Sequence, residues 1–82
     1  PLPRVSVKVT LKPTLLDAQG RTVEGALKSM GYAQVSDVRI GKVIEMQVDA
    51  DDEVAVRREV ASMCDRLLAN PVMEDYRIEI LP

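Results

Sequence analysis

The sequence predicts an α+β domain with a ferredoxin-like β-α-β-β-α-β order, in which an antiparallel sheet carries two helices on one face. Three observations predict it: a first segment of alternating apolar and polar residues, two amphipathic helical segments, and a short internal echo. This echo is a short internal sequence repeat, in which Asp37-Val38-Arg39-Ile40 resembles Asp75-Tyr76-Arg77-Ile78. Two similar halves suit this arrangement, and 82 residues are enough for one domain, so residues 1–82 are expected to form a single unit.

The first half begins with a strand and continues with a helix. Residues 4–11 alternate, with Val5, Val7 and Val9 on one side, which is typical of a half-buried strand. Pro13 ends this strand. Asp17 is a favourable residue for a helix N-cap, and Gly31 is typical of the position after a helix C-terminus. The apolar stripe of this helix consists of Val23, Ala26, Leu27 and Met30.

Two further strands are predicted, around residues 38–40 and 44–48. Their apolar positions share one face only if the connection has an odd number of residues. This condition favours a three- or five-residue loop centred on Gly41, or a bent ribbon that runs through it.

The second helix is predicted from Asp51-Asp52 to about Leu68, where Asn70-Pro71 stops it. Its apolar arc spans about half of the helix, which is wider than a surface helix needs. The predicted core stripe is Val56, Val60, Met63, Cys64 and Leu67. A last strand follows, with Tyr76, Ile78 and Ile80 on its inward face.

The composition argues against most kinds of active site. The chain has no histidine and one cysteine, which removes the commonest general base, histidine-dependent triads and thiolate metal clusters. Its four glycines are scattered, so no phosphate-binding loop is formed. Cys64 lies on an apolar helix stripe and is interpreted as a core residue. We therefore predict no catalytic residue, no metal ligand and no cofactor bound by this chain.

The charges and the apolar segments also limit the kinds of partner. With 11 basic and 13 acidic residues, the chain has a net charge of −2 and lacks the basic stripe typical of nucleic-acid binding. The absence of any apolar stretch of about 20 residues argues against a membrane span, and no signal peptide is recognisable. We expect a cytoplasmic protein that binds neither nucleic acid nor membrane.

The open face of the predicted sheet carries a mixture of charges. Arg4, Lys8 and Lys12 are expected there, beside Glu45 and Asp49. These residues are interpreted either as cross-strand charge pairs on a solvated face or as a polar docking surface, and the two interpretations are compatible.

Several short segments follow one another in the order found in a known family. They are Val9-Thr10-Leu11-Lys12, Leu16-Asp17-Ala18-Gln19-Gly20, Leu27-Lys28-Ser29-Met30-Gly31-Tyr32, Val38-Arg39-Ile40-Gly41-Lys42, Met63 to Val72, and Glu74-Asp75-Tyr76. On these segments the sequence closely resembles the PurS family, the small subunit of phosphoribosylformylglycinamidine (FGAM) synthase. Ala18 is a departure, because the family often has proline at this position.

The resemblance implies a role in purine biosynthesis as part of a complex. In that complex a glutaminase subunit releases ammonia from glutamine. A large synthetase subunit uses ATP and magnesium to convert formylglycinamide ribonucleotide (FGAR) to FGAM with that ammonia. The small subunit is expected to be a homodimer or higher homo-oligomer that bridges the other two subunits and assists ammonia transfer. Such a bridge needs interaction surfaces and no nucleophile.

Two sets of residues are candidates for these surfaces. The predicted contacts with the partner subunits are Arg39, Gly41, Lys42, Asn70, Pro71 and Tyr76. Turn geometry or a helix stop would equally explain Gly41 and the Asn70-Pro71 pair. The predicted self-association surface lies at the edge of the wide apolar arc of the second helix and consists of Val54, Ala61 and Leu68. Burial within one subunit is an equal alternative for this second set.

A regulatory module of the ACT type is the alternative function, because it shares the predicted order of strands and helices. Such modules bind small effector molecules at dimer interfaces. An independent enzyme is a weaker third possibility.

Overall fold

A computed structural model describes residues 3–81. It contains strand β1 (Arg4–Leu11), helix α1 (Ala18–Ser29), strand β2 (Gly41–Gln47), helix α2 (Glu53–Met63) and strand β3 (Glu74–Leu81). A π-helical turn, Cys64–Leu68, directly continues α2 and is called the π turn below.

The three strands form one antiparallel sheet in the order β2-β1-β3. Val7, in the middle of β1, lies opposite Ile44 of β2 and Ile78 of β3. The predicted α+β class is confirmed, as are the antiparallel sheet, the two helices and the central position of the first strand.

The segment around residues 38–40 differs from the prediction, because it forms no strand in the described part of the chain. The backbone N–H groups of Val38 and Ile40 donate to the side chains of Glu24 and Asp17 and not to a neighbouring strand. The element order is therefore β-α-β-α-β. Gly41 is not the centre of a loop, because the chain runs through it into β2, where it lies opposite Thr10.

The core lies between the sheet and α2. Alternate residues of β1 are almost completely buried, and so are the residues of α2 and the π turn that face them; the set is Val5, Val7, Val9, Val56, Val60 and Cys64. Such β-branched side chains suit the pleated surface of the sheet. These positions follow the predicted periods of two and of three to four residues, so most of the core could be predicted from the sequence. Met63, which the sequence also placed in the core, is exposed.

Helix α1 does not contribute to this core, which differs from the predicted pair of helices packed on one face. Among the described residues, none from α1 belongs to the core cluster or packs directly against it. The only buried residue of α1 is Gly20, while Val23 and Met30 are exposed. The apolar stripe predicted for this helix therefore faces solvent in the single chain.

The π turn explains a second difference, at Leu67. The N–H of Ala69 donates to the carbonyl oxygen of Cys64 at 3.0 Å, so this turn contains one residue more than an α-helical turn. The extra residue rotates the following side chains relative to the α-helical pattern. Leu68 consequently packs against the core, and Leu67, which was predicted to be buried, is 83% exposed.

This rotation gives a test by two matched substitutions. Leu68→Ala should lower the free energy of unfolding by about 1–3 kcal/mol, because it removes a partly buried side chain from the core. Leu67→Ala should change it by no more than about 0.5 kcal/mol, because that side chain is exposed. Urea denaturation of both variants measures the difference. Equal losses, or a larger loss for Leu67→Ala, would contradict the register that the π turn imposes.

Candidate functional site

The candidate site lies at the end of the sheet where β1 finishes and β2 and β3 begin. Val9 of β1 lies opposite Lys42 on one side and opposite Tyr76 on the other. The predicted partner contacts fall into two groups, one within residues 39–42 and one within residues 70–76, and both groups therefore lie at the same end of the sheet.

Asp17 is the central polar residue of this region. Its carboxylate is buried, caps α1 by accepting from the N–H of Gly20 (2.9 Å), and also accepts from the N–H of Ile40 (2.6 Å). These two N–H groups, together with the nearby Arg39 guanidinium, hold the pKa of Asp17 below its usual value. One side chain thus ties the start of α1 to the segment that enters β2.

Glu24 makes a second connection between α1 and the same segment. Its carboxylate accepts from the N–H of Val38 at 3.2 Å and forms an ion pair with Lys28 at 3.3 Å. The N–H of Val38 and then the Lys28 ammonium hold the pKa of Glu24 below its usual value. Gly20 completes the connection, because a Cβ atom at this position would collide with the carbonyl oxygen of Val38.

Arg39 has a structural role in the single chain. Its side chain is half-buried, and one guanidinium nitrogen donates to the carbonyl oxygens of Lys12 and Leu15, each at 3.1 Å. These bonds hold the loop between β1 and α1. Contact of Arg39 with a partner subunit stays a prediction.

Gly41 and Lys42 begin β2. The fold requires glycine at the first position, but it does not require lysine at the second. A Cβ atom on Gly41 would lie 2.6 Å from the carbonyl oxygen of Val9 and 2.7 Å from Thr10 Cγ2, so the close approach of two strands accounts for this glycine. Lys42 is exposed and forms no ion pair within residues 3–81. Lys42 is thus a free cation at this end of the sheet.

An open cleft of about 300 Å³ lies beside these residues. It is lined by Val9, Thr10, Leu11, Asp17, Gln19, Ile40, Gly41, Lys42 and Glu74. A second, more apolar cleft along α1 shares Gln19 and Ile40 with it and includes Val23. The carboxylate of Asp17 is occupied by backbone N–H groups, so the arrangement suits contact with another protein surface better than acid–base chemistry.

The second group of predicted partner contacts, Asn70, Pro71 and Tyr76, surrounds the turn between the π turn and β3. Asn70 shapes this turn, because its Oδ1 accepts from the N–H of Val72 at 3.1 Å and its N–H donates to Glu74 Oε1 at 2.7 Å. Pro71 is exposed. Tyr76 packs against the core, and its hydroxyl donates to Asp65 at 3.3 Å. The N–H of Met73 donates to the carbonyl oxygen of Asn70 at 3.0 Å, which places Pro71 second in a four-residue turn, where proline is favoured. Contact of Pro71 with a partner subunit stays a prediction.

The predicted self-association residues lie in three different environments. Val54 is 71% exposed, Ala61 is half-buried, and Leu68 packs against the core of its own chain. Leu68 is thus explained by packing within the chain. Val54 and Ala61 stay predictions of a contact between chains.

Cys64 is completely buried, and this burial, reinforced by the neighbouring Asp65 carboxylate, raises the pKa of its thiol. A protonated, inaccessible thiol is a poor nucleophile. Within residues 3–81, no three histidine, cysteine or acidic side chains lie together as a metal site would require. No helix in this range has both the length and the apolar character that a membrane crossing requires.

Comparison with known proteins identifies the family. The family model for PurS, phosphoribosylformylglycinamidine (FGAM) synthase, matches residues 4–82. The chain belongs to the PurS family. This assignment confirms the resemblance seen in the sequence and decides against the ACT-type alternative.

Members of the PurS family from bacteria and archaea resemble the chain over nearly its whole length. The PurS subunit of phosphoribosylformylglycinamidine synthase from Bacillus subtilis (strain 168) is 48% identical over 80 residues, which cover 94% of this chain and 90% of that protein. The PurS subunit from Methanocaldococcus jannaschii is 38% identical over 77 residues, which cover 94% of this chain and 93% of that protein.

Solved PurS structures have the same fold. The C2 crystal form of B. subtilis PurS matches with a TM-score of 0.88 and 46% identity, covering 99% of this chain and 100% of that one. A chain in the structure of PurLQS from Thermotoga maritima matches with a TM-score of 0.91 and 31% identity, covering 99% of each chain.

The sequence did not reveal the roles of Asp17 and Glu24 in this PurS fold. Asp17 was predicted to be a helix cap, and its bond to Ile40 spans 23 residues of sequence. No local sequence pattern predicts a contact between residues so far apart. One signal was available in the sequence, namely Gly20 close to the N-cap Asp17. Glycine lowers helix stability, and close packing against another segment can explain why it is present there.

Proposed function

We propose that this chain is the small subunit of FGAM synthase, a multi-subunit ATP-dependent ligase of purine biosynthesis, and that it has no catalytic centre of its own. The observation that carries this proposal is the PurS family match across residues 4–82. The residues at the end of the sheet are consistent with it, because the polar side chains of Asp17 and Arg39 bond to backbone groups of the same chain.

In this proposal the chain bridges a glutaminase subunit and a large synthetase subunit in the cytoplasm and assists the transfer of ammonia between them. Ammonia that reaches bulk water is diluted and protonated, so a sealed contact between two active sites protects it. ATP and magnesium would be bound by the synthetase subunit. The exposed Lys42 and Pro71, which lie at the end of the sheet or next to it, are the proposed contacts with these partners.

We also propose that the chain works as a homodimer or higher homo-oligomer. Its radius of gyration is 16.0 Å, against about 12 Å for a compact domain of this length, and its dimensions are 50 × 28 × 14 Å. The apolar residues Val23, Met30 and Val54 are exposed in the single chain. A second copy would bury such surface, which small domains without disulfides often require.

Assembly of the purified proteins tests this function. The chain alone should have at least twice the mass of one copy, and it should form a ternary complex when mixed with glutaminase and synthetase subunits. Size-exclusion chromatography with light scattering measures both masses. A single-copy mass over the micromolar range would contradict the homo-oligomer, and failure to bind either subunit would contradict the bridging role.

A further inference from the structure

Two cations face each other on the open face of the sheet, the face away from α2. Lys8 of β1 lies directly opposite Arg77 of β3, and both side chains are exposed. Directly opposed residues of antiparallel strands have Cα atoms only about 4.5–5.5 Å apart, and like charges in such a pair are destabilising. The fold therefore keeps an unfavourable pair at this position.

The other cations of this face are already neutralised. Arg4 pairs with Glu45 at 3.2 Å, and Lys12 pairs with Asp75 at 3.1 Å. In the described range, neither Lys8 nor Arg77 belongs to an ion pair. A cleft of about 250 Å³, lined by Lys8, Thr10, Asp75, Tyr76 and Arg77, lies at this position. The pair thus has both the charge and the space to receive an anion.

We propose that Lys8 and Arg77 bind a carboxylate side chain on the surface of a partner subunit. This inference rests on the proposed function, since it assigns one surface of the chain to the assembly. A guanidinium can donate two parallel hydrogen bonds to a carboxylate, and the lysine adds a second positive charge beside it. The hydroxyl of Thr10, which lines the same cleft, is a further donor.

The surroundings favour a single carboxylate over an extended polyanion. Glu79 lies two residues from Arg77 on β3, and Asp75 lies two residues away on the other side. These carboxylates lower the positive potential around the pair, which counts more against the several neighbouring phosphates of a nucleic acid than against one carboxylate placed between Lys8 and Arg77. The net charge of −2 for the whole chain also disfavours binding of a nucleic acid.

Reversal of one charge separates folding from binding. Lys8→Glu places opposite charges across the strand pair, so it should raise the melting temperature of the chain by roughly 1–5 °C. The same substitution should weaken assembly with the partner subunits by roughly tenfold or more, because a like charge then meets the partner's carboxylate. Arg77→Glu should weaken assembly in the same way, but its melting temperature should not rise, because it places a third carboxylate between Asp75 and Glu79 on the same face of β3. Arg21→Glu, which makes the same change of charge on the exposed side of α1, should leave the affinity for the partner subunits unchanged.

Thermal unfolding of the free chain measures the change in melting temperature. Titration of each variant into the glutaminase and synthetase subunits, at two salt concentrations, measures the change in affinity. If the wild-type chain assembles and Lys8→Glu assembles equally well, the inference is overturned and the proposed function stands. If the wild-type chain fails to assemble, both are overturned together. A smaller homo-oligomer for Lys8→Glu would assign the carboxylate to a second copy and overturn the partner assignment. Loss of heparin binding with unchanged assembly would assign the pair to a polyanion and also overturn it.

Discussion

Gly20→Ala is expected to destabilise the protein, whereas Gly25→Ala in the same helix is expected to stabilise it. A Cβ atom on Gly20 would collide with the carbonyl oxygen of Val38 and lie 2.9 Å from Asp17 Oδ2. A Cβ atom on Gly25 would meet nothing within 4 Å. Alanine favours the helix by up to about 1 kcal/mol over glycine, so the two sites differ only in what surrounds them.

The expected changes in the free energy of unfolding have opposite signs. Overpacking at Gly20 should cost about 1–3 kcal/mol net of the helix gain, because both obstacles belong to a network that fixes their positions. Gly25→Ala should add about 0.5–1 kcal/mol. Urea denaturation of the two variants beside the wild-type chain measures both. Stabilisation by Gly20→Ala would mean that the segment around Val38 does not pack against α1.

The contact between α1 and residues 38–40 also matters for function, because it fixes the segment that leads into β2. Asp17 and Glu24 bind the N–H groups of Ile40 and Val38, and Arg39 binds the loop before α1. If α1 is forced away from this segment, the chain that leads into Lys42 should lose its fixed position. Loss of this fixed position should therefore also weaken binding to a partner that recognises the segment.

The sheet and the second helix could be predicted because local patterns determine them. The alternation in β1 places Val5, Val7 and Val9 in the core, and the spacing of Val56 and Val60 places α2 over them. Both helix starts were also predictable. Asp17 and Asp52 occupy the N-cap positions, and each accepts from a backbone N–H three residues later.

The missing strand and the position of α1 could not be predicted, because long-range contacts determine them. Residues 38–40 alternate like a strand, but three residues are too few to distinguish a strand from an extended segment whose N–H groups bind side chains. The apolar stripe of α1 indicates that this helix is covered. The pattern cannot say whether the cover is the same chain or another copy.

The candidate site was predicted only in part, for a related reason. The sequence predicts contacts at Arg39, Gly41 and Asn70, and each of these residues has a role in the fold that accounts for it. Lys42 is exposed and lacks such a role in the described structure, whereas Pro71 is exposed but occupies the second position of the turn from Asn70 to Met73. The opposed pair of Lys8 and Arg77 became visible only with the strand register, since the two residues are far apart in sequence.

The exclusion of catalysis followed from the amino-acid inventory. A chain without histidine, with one cysteine and with scattered glycines lacks the usual parts of an active site. The buried Cys64, whose pKa is raised by its burial, is consistent with this view. The resemblance to the PurS family, which the comparisons confirm, supplied the specific complex and reaction.

The central claim is that the chain couples two active sites without performing chemistry, and reconstitution tests it most directly. The glutaminase and synthetase subunits are combined with ATP, magnesium and FGAR, with and without this chain, and FGAM is measured with glutamine or with free ammonia as the nitrogen source. Omission of the chain should abolish glutamine-dependent synthesis, because ammonia is no longer delivered, and should leave ammonia-dependent synthesis by the synthetase subunit in place. Glutamine-dependent synthesis at an unchanged rate without the chain would contradict the account.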